Sequence, residues 1–175
     1  MRNLLIVVDM QNDFVTGALR NEEAIKIVPN VVDRIKKAKK EGYTVIFTKD
    51  SHNGDYLKTE EGKNLPVEHC IAGTVGWKII DELQKFVERD TIVFDKDTFG
   101  SRFLANYLER NSYDRIELIG VCTDICVIAN AIVAKTFQPN AHIVVDASCC
   151  AGVTVESHKT SLNAMKSLQI EVVNE

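Results

Sequence analysis

Glycine and proline are scarce, at 9 and 3 of 175 residues, which excludes collagen-like repeats and extended low-complexity disorder. No strong charge of one sign is present: the net charge is −4. That leaves no basic surface for nucleic acid or for an anionic membrane. No apolar run is long enough to span a bilayer, since the densest, Ile125–Ala134, is short and is interrupted by Asn130. Arg2 followed by Leu4–Val8 resembles the start of a signal peptide, but Asp9 ends that run early, so a cytoplasmic protein is expected. None of the five cysteines (Cys70, Cys122, Cys126, Cys149, Cys150) falls in a Cys-x-x-Cys pair, which argues against a thioredoxin-like site or a zinc knuckle. Their odd number argues against a disulfide framework. Most are expected to be small buried hydrophobes, with room for one reactive thiol. Internal repeats and linkers are also lacking.

With 45 % apolar and 26 % charged side chains, the chain is expected to form a single domain, residues 1–175, around a full core. Strand and helix patterns alternate. Asn3–Asp9 (NLLIVVD) is a continuous apolar run of the kind a strand covered on both faces carries. Glu22–Lys40 repeats apolar residues at helical spacing, and Gly42 ends it. Further strands are expected at Thr44–Thr48, Thr91–Phe94, Arg115–Ile119, Ala141–Asp146 and Ile170–Val173. Further helices are expected at Trp77–Phe86, at Ser101–Arg110 with Ser101 as N-cap, from a cap at Thr123 or Asp124 to about Phe137, and at Val155–Leu168. This alternation predicts a parallel sheet with right-handed crossovers in a three-layer α/β domain. Ser51–Gly76 has little periodicity, and long irregular segments in compact domains are usually functional.

Sites in open α/β sheets form at the carboxyl ends of strands. The first strand delivers Asp9 there, followed by Gln11, Asn12, Asp13 and Phe14. The second delivers Lys49, Asp50 and His52, the third Asp95, Lys96 and Asp97, the fourth Cys122, Thr123, Asp124 and Cys126, and the fifth Asp146. Cys126 falls in the expected first turn of a helix, where unpaired amides and the helix dipole favour thiolate. Backbone N–H groups around Cys122 and Cys126 are placed to receive an oxyanion. A buried core cysteine fits the apolar neighbours Ile125, Val127 and Ile128 equally well. Asp9 is the natural base for such a thiol, or else a structural carboxylate. Lys96 is a solvated lysine, or a buried cation that would hold Asp9 and Cys126 as anions. Together the three fit acyl transfer. Asp50, His52 and His69 form a donor set suited to Zn²⁺, Mn²⁺ or Fe²⁺, with Glu60, Glu61 and Glu68 nearby. The alternative is a polar loop without metal. His142 and His158 are expected to be structural and away from this edge.

Val7–Phe14 (VVDMQNDF), Lys49–His52 (KDSH), His69–Thr74 (HCIAGT), Lys96 and Gly120–Val127 (GVCTDICV) together resemble the nicotinamidase branch of the isochorismatase-like cysteine hydrolases. The resemblance runs from about Leu4 to Val173. It implies a three-layer α/β/α, Rossmann-like domain whose six-stranded, mostly parallel sheet has the order 3-2-1-4-5-6. It implies Asp9, Lys96 and Cys126 as the catalytic triad, the backbone amides of Cys122 and Cys126 as the oxyanion hole, and a cis peptide at Val121–Cys122. Asp50, His52 and His69, with Glu61 as a fourth, are implied as ligands of one divalent transition metal, most readily Zn²⁺, with Mn²⁺ or Fe²⁺ as substitutes. Phe14, Phe99 and Leu65 are implied at the substrate pocket. The pattern departs at Leu65–Glu68, where many members carry a tryptophan, and at Gly100, which separates Phe99 from Ser101. The implied activity is hydrolysis of nicotinamide to nicotinate and ammonia through a thioester, as in NAD salvage, with the metal holding the pyridine nitrogen. The alternatives are another small amide or carbamoyl substrate, or a non-catalytic redox-sensing domain using Cys122 and Cys126. The implied partners are a small-molecule amide and further copies of the chain in a homo-oligomer, with no nucleic acid or membrane.

Overall fold

The computed structural model describes residues 1–175. The N-terminal apolar run forms β1 (Asn3–Val8), and Leu4 to Val8 are wholly buried. The short α1 (Asn12–Val15) follows, then α2 (Glu22–Lys40). Asn21 caps α2 by accepting from the Glu23 amide, with glutamates in the first turn and lysines in the last, as the helix dipole favours. The chain continues through β2 (Thr44–Asp50), α3 (Glu60–Asn64), α4 (Asp81–Gln84), β3 (Val93–Lys96), α5 (Arg102–Arg110) and β4 (Arg115–Val121). It ends with α6 (Ile128–Phe137), β5 (His142–Ala151), α7 (Val155–Ser167) and β6 (Glu171–Val173). The sheet order is β3-β2-β1-β4-β5-β6, with every neighbouring pair parallel.

The central place of β1 explains its uninterrupted apolar sequence, because successive side chains enter opposite cores. Leu4, Ile6 and Val8 pack with Leu104 and Leu108 of α5, Ala131 of α6 and Leu162 and Met165 of α7. Leu5 and Val7 pack with Val31 and Ile35 of α2 and Leu83 of α4. One charged pair crosses the second layer: Glu117 of β4, 3 % exposed, takes both prongs of the Arg34 guanidinium from α2, with Nη2 2.7 Å from Oε2.

Several local expectations are corrected. The helix expected over Trp77–Phe86 shrinks to the single turn of α4, because Ile79 bridges Gln11 and the Ile80 amide donates to the Met10 carbonyl at 3.0 Å. That extended tie outweighs local helical spacing. β3 starts at Val93 rather than Thr91, set by its pairing from Phe47 to Asp50. β5 runs on to Ala151, resuming its pairing with β4 past an irregularity between Leu118 and Gly120. Neither Thr123 nor Asp124 caps the helix after β4. A π-helical turn, Thr123–Val127, precedes α6; Thr123 instead bonds His158, and Asp124 accepts from the Val153 amide at 3.0 Å. Within Ser51–Gly76 lie a 3₁₀ turn at Tyr56–Lys58 and α3.

Gly120 requires its residue type. Its φ is +117°, and a Cβ there would lie 2.1 Å from the Val8 carbonyl oxygen. The close approach of β4 to β1 sits immediately before the cis peptide Val121–Cys122.

Candidate active site

Asp9 leaves β1 with a positive φ of 49°, so its carboxylate sits at the strand tip while remaining 0 % exposed. Its Oδ1 accepts from the Thr48 hydroxyl at 2.7 Å. Oδ2 receives no aligned hydrogen bond, but the Lys96 ammonium lies 2.6 Å away as an ion-pair partner. Lys96, at the end of β3, is also buried. Its Nζ lies 3.1 Å from Asp50 Oδ1, 3.1 Å from the Thr98 carbonyl and 3.4 Å from Cys126 Sγ. Cys126 comes from the π-helical turn after β4 and is 6 % exposed. Four strand ends thus deliver Asp9, Asp50, Lys96 and the turn that carries Cys126 to one point.

The charges in this cluster correct one expectation. Burial pushes the Asp9 carboxyl up, and the nearby Lys96 only partly offsets this. Burial and then the Asp9 charge push the Cys126 thiol well above its ordinary range, against the pull of Lys96. Lys96 therefore does not hold both neighbours as anions. The water-excluded setting outweighs the dipole of one helical turn. Burial opposes the charge on Lys96, but Asp9, Cys126 and Asp50 more than compensate and keep it an ammonium.

Beside this cluster, Asp50 Oδ2 lies 2.9 Å from His52 Nε2 and 3.3 Å from His69 Nε2. Glu61 Oε1, from α3, lies 3.6 Å and 3.8 Å from the same two nitrogens. Burial pushes Asp50 up, yet the two imidazoles and Lys96 outweigh it and hold the group below the usual carboxylate range. One donor atom from each of the four residues fits within 4.8 Å of the others. His69 Nδ1 is engaged by the Val67 carbonyl at 2.8 Å, which fixes its tautomer and turns Nε2 inward. Two imidazoles and two carboxylates converging in this way suit a borderline divalent metal. Glu60 and Glu68 are exposed and stay outside the cluster.

Supporting residues without a role in the sequence reading include Gln11, Asp13, Thr48 and Tyr56. Gln11 clasps the Asp50 backbone, accepting from its N–H and donating to its carbonyl, each at 2.8 Å. Asp13 accepts from the Cys70 amide at 2.8 Å, anchoring the His69 segment. The buried Tyr56 ring packs 4.6 Å from the His52 ring and 5.0 Å from the His69 ring. Thr48 pairs with Val8 in the sheet, a signal that becomes usable only once strand order is known. Contrary to expectation, His158 reaches this edge: its Nδ1 lies 2.7 Å from the Thr123 hydroxyl, inside the π-helical turn that carries Cys126. His142 lies away from it, paired with Glu171.

A cavity of about 710 Å³ opens over the cluster, and Cys126, Cys122, His69, Phe14, Leu65 and Phe99 line it. All three expected pocket residues are among them. Burial pushes the Cys122 thiol up to about 12, so it stays protonated at neutral pH.

Comparison with known proteins gives a consistent result. The isochorismatase domain model matches residues 3–174. A probable inactive nicotinamidase of Arabidopsis thaliana is 29 % identical over 178 residues, covering 95 % of this chain and 89 % of its own. A nicotinamidase of Schizosaccharomyces pombe is 28 % identical over 211 residues, covering 98 % and 92 %. The crystal structure of a pyrazinamidase of Pyrococcus horikoshii in complex with zinc superposes with a TM-score of 0.85 at 29 % identity, covering 100 % of both chains.

Proposed function

From the premise that this chain belongs to the isochorismatase domain family and is an amidohydrolase, we propose that it hydrolyses nicotinamide to nicotinate and ammonia. The observation that carries this reading is the buried contact set of Lys96 with Asp9 at 2.6 Å and with Cys126 Sγ at 3.4 Å, at the floor of a cavity walled by Phe14, Leu65 and Phe99.

Asp9 accepts the Cys126 proton as the thiolate attacks the carboxamide carbon. The upward shift of Asp9 by burial makes it a stronger base than an ordinary carboxylate. Negative charge developing on the carboxamide oxygen is received by the backbone N–H groups of Cys122 and Cys126. Asp9 then hands its proton to the departing nitrogen, releasing ammonia and leaving a thioester on Cys126. A water that loses a proton to Asp9 hydrolyses the thioester and frees the thiol. Lys96 stays an ammonium throughout and keeps two buried carboxylates compatible with one another. Asp50, His52, Glu61 and His69 would hold one divalent metal, with zinc the best match to these donors and to the zinc complex of the pyrazinamidase relative. Bound there, the metal would supply a Lewis-acidic contact for a ring nitrogen. Phe14, Leu65 and Phe99 enclose the ring.

The test is ammonia release from nicotinamide by the wild type and by Cys126→Ala. The expected result is turnover in the first and none in the second. A wild type that releases no ammonia at full metal loading would overturn the substrate assignment and point to another small amide or carbamoyl compound.

A further inference from the structure

Asn130 is a completely buried polar side chain in α6, a helix otherwise built mainly of apolar residues. A buried amide is costly unless its hydrogen bonds are made, and here they are. Its Nδ2 donates to the Cys126 carbonyl at 2.8 Å and to the Phe99 carbonyl at 3.0 Å. Its Oδ1 accepts from the Ser101 amide at 2.9 Å.

The segments it joins are the two sides of the reaction centre. The loop from Thr98 to Ser101 follows Lys96, and the Thr98 carbonyl accepts from Lys96 Nζ at 3.1 Å. Lys96 Nζ in turn lies 3.4 Å from Cys126 Sγ. A closed circuit therefore runs from the Cys126 backbone through Asn130 to the loop, through Thr98 to Lys96, and back to the Cys126 thiol. Cutting it at Asn130 removes the loop's ties to the nucleophile turn, and Lys96 Nζ, still held by Asp9 and Asp50, is free to recede from the sulfur toward the carboxylates. We infer that Asn130 is a positioning residue, setting the separation of Lys96 and Cys126 by pinning the post-Lys96 loop to the nucleophile turn. The inference rests on the reading that Cys126 and Lys96 take part in the reaction.

Asn130→Ser is the test variant. A serine hydroxyl can bond back to the carbonyl four residues earlier, as Thr136 does to Ile132 at 2.8 Å in the same helix. The Cys126 link is then kept while both loop links are lost. Asn130 does not line the cavity, so kcat for nicotinamide is expected to fall about tenfold or more, with KM changed by less than about threefold. Mass spectrometry of Cys126 after iodoacetamide treatment gives a second readout that needs no turnover. The alkylation rate is expected to fall at least about threefold as the ammonium moves away from the sulfur. A folded variant with unchanged kcat and unchanged or faster alkylation overturns the inference. If Asn130→Ser does not fold, Asn130→Thr, which keeps the same back-bond to the Cys126 carbonyl, cuts both loop links and fills more of the side chain's volume, is judged by the same two rates. If the wild type does not act on nicotinamide, the substrate reading falls and the alkylation comparison still decides the role of Asn130.

Discussion

Lys96→Met is the perturbation that probes the charge balance most directly. The ammonium lies 2.6 Å from Asp9 and 3.1 Å from Asp50, and all three groups are almost fully buried. Removing it leaves two carboxylates facing one another without a cation. The loss of an opposite charge at this range moves a carboxyl pKa by about 1–3 units, and for Asp9 the movement is upward, added to the rise that burial already causes. Only ionised Asp9 can take the thiol proton, so the acid limb of the kcat/KM profile moves about 1–3 pH units to higher pH. At neutral pH kcat/KM is expected to fall with the fraction of Asp9 that becomes protonated, by up to about 10³ for a shift of about three units. Breaking a buried ion pair costs about 3–5 kcal/mol, which for a domain of this size lowers Tm by about 6–20 °C. The sign of the pH effect on stability follows from the raised folded pKa. The folded variant binds a proton that the unfolded chain releases, so its stability deficit shrinks as pH falls and grows as pH rises. Ammonia release across pH and thermal melts at matched metal content read both quantities. An acid limb that stays in place, or a deficit that widens on acidification, would refute the reasoning.

Other outcomes follow from separate features. Arg34→Leu leaves the buried Glu117 of β4 with only Arg115 Nη2, at 3.8 Å, and is expected to cost about 3 kcal/mol in urea unfolding, whereas Arg34→Leu with Glu117→Leu returns to within about 2 kcal/mol of the wild type. A double variant no more stable than the single would show that the pair is not coupled. Gly120→Ala drives a Cβ against the Val8 carbonyl oxygen at 2.1 Å, and a loss of about 3 kcal/mol or more is expected; a Tm equal to that of the wild type would contradict this. Glu61→Gln removes one anionic donor from the set around His52 and His69, and zinc affinity in a competition titration with a chromophoric chelator is expected to drop about 10–100-fold. Unaltered affinity would place Glu61 outside the ligand set.

Legibility from sequence followed the range of the interactions. β1 and α2 were readable because burial on two faces and burial on one stripe leave different local patterns. The tips of β1, β2, β3 and β4 were readable as site positions because parallel topology gathers strand carboxyl ends whatever the intervening helices do. Other features lacked a local signature. The residues before α4 carry helical spacing but are held extended by Gln11 and Met10, which lie more than sixty positions earlier. Glu61 meets His52 and His69 only because the fold brings α3 beside both imidazoles, whereas the equally acidic Glu60 and Glu68 are exposed. His158 meets Thr123 across thirty-five positions.

The sequence by itself determined the alternation of elements, the apolar centre of the sheet and the chemical types available at its edge, since these depend on hydrophobic periodicity and residue identity. Only the tertiary structure decided protonation and contact. A carboxylate, a thiol and an ammonium can be named from a string of letters. Their proton affinities depend on how completely the fold removes water and on whether Lys96 stands 2.6 Å from Asp9 or a solvent layer away, because desolvation and Coulomb energy vary with depth and distance and not with position along the chain.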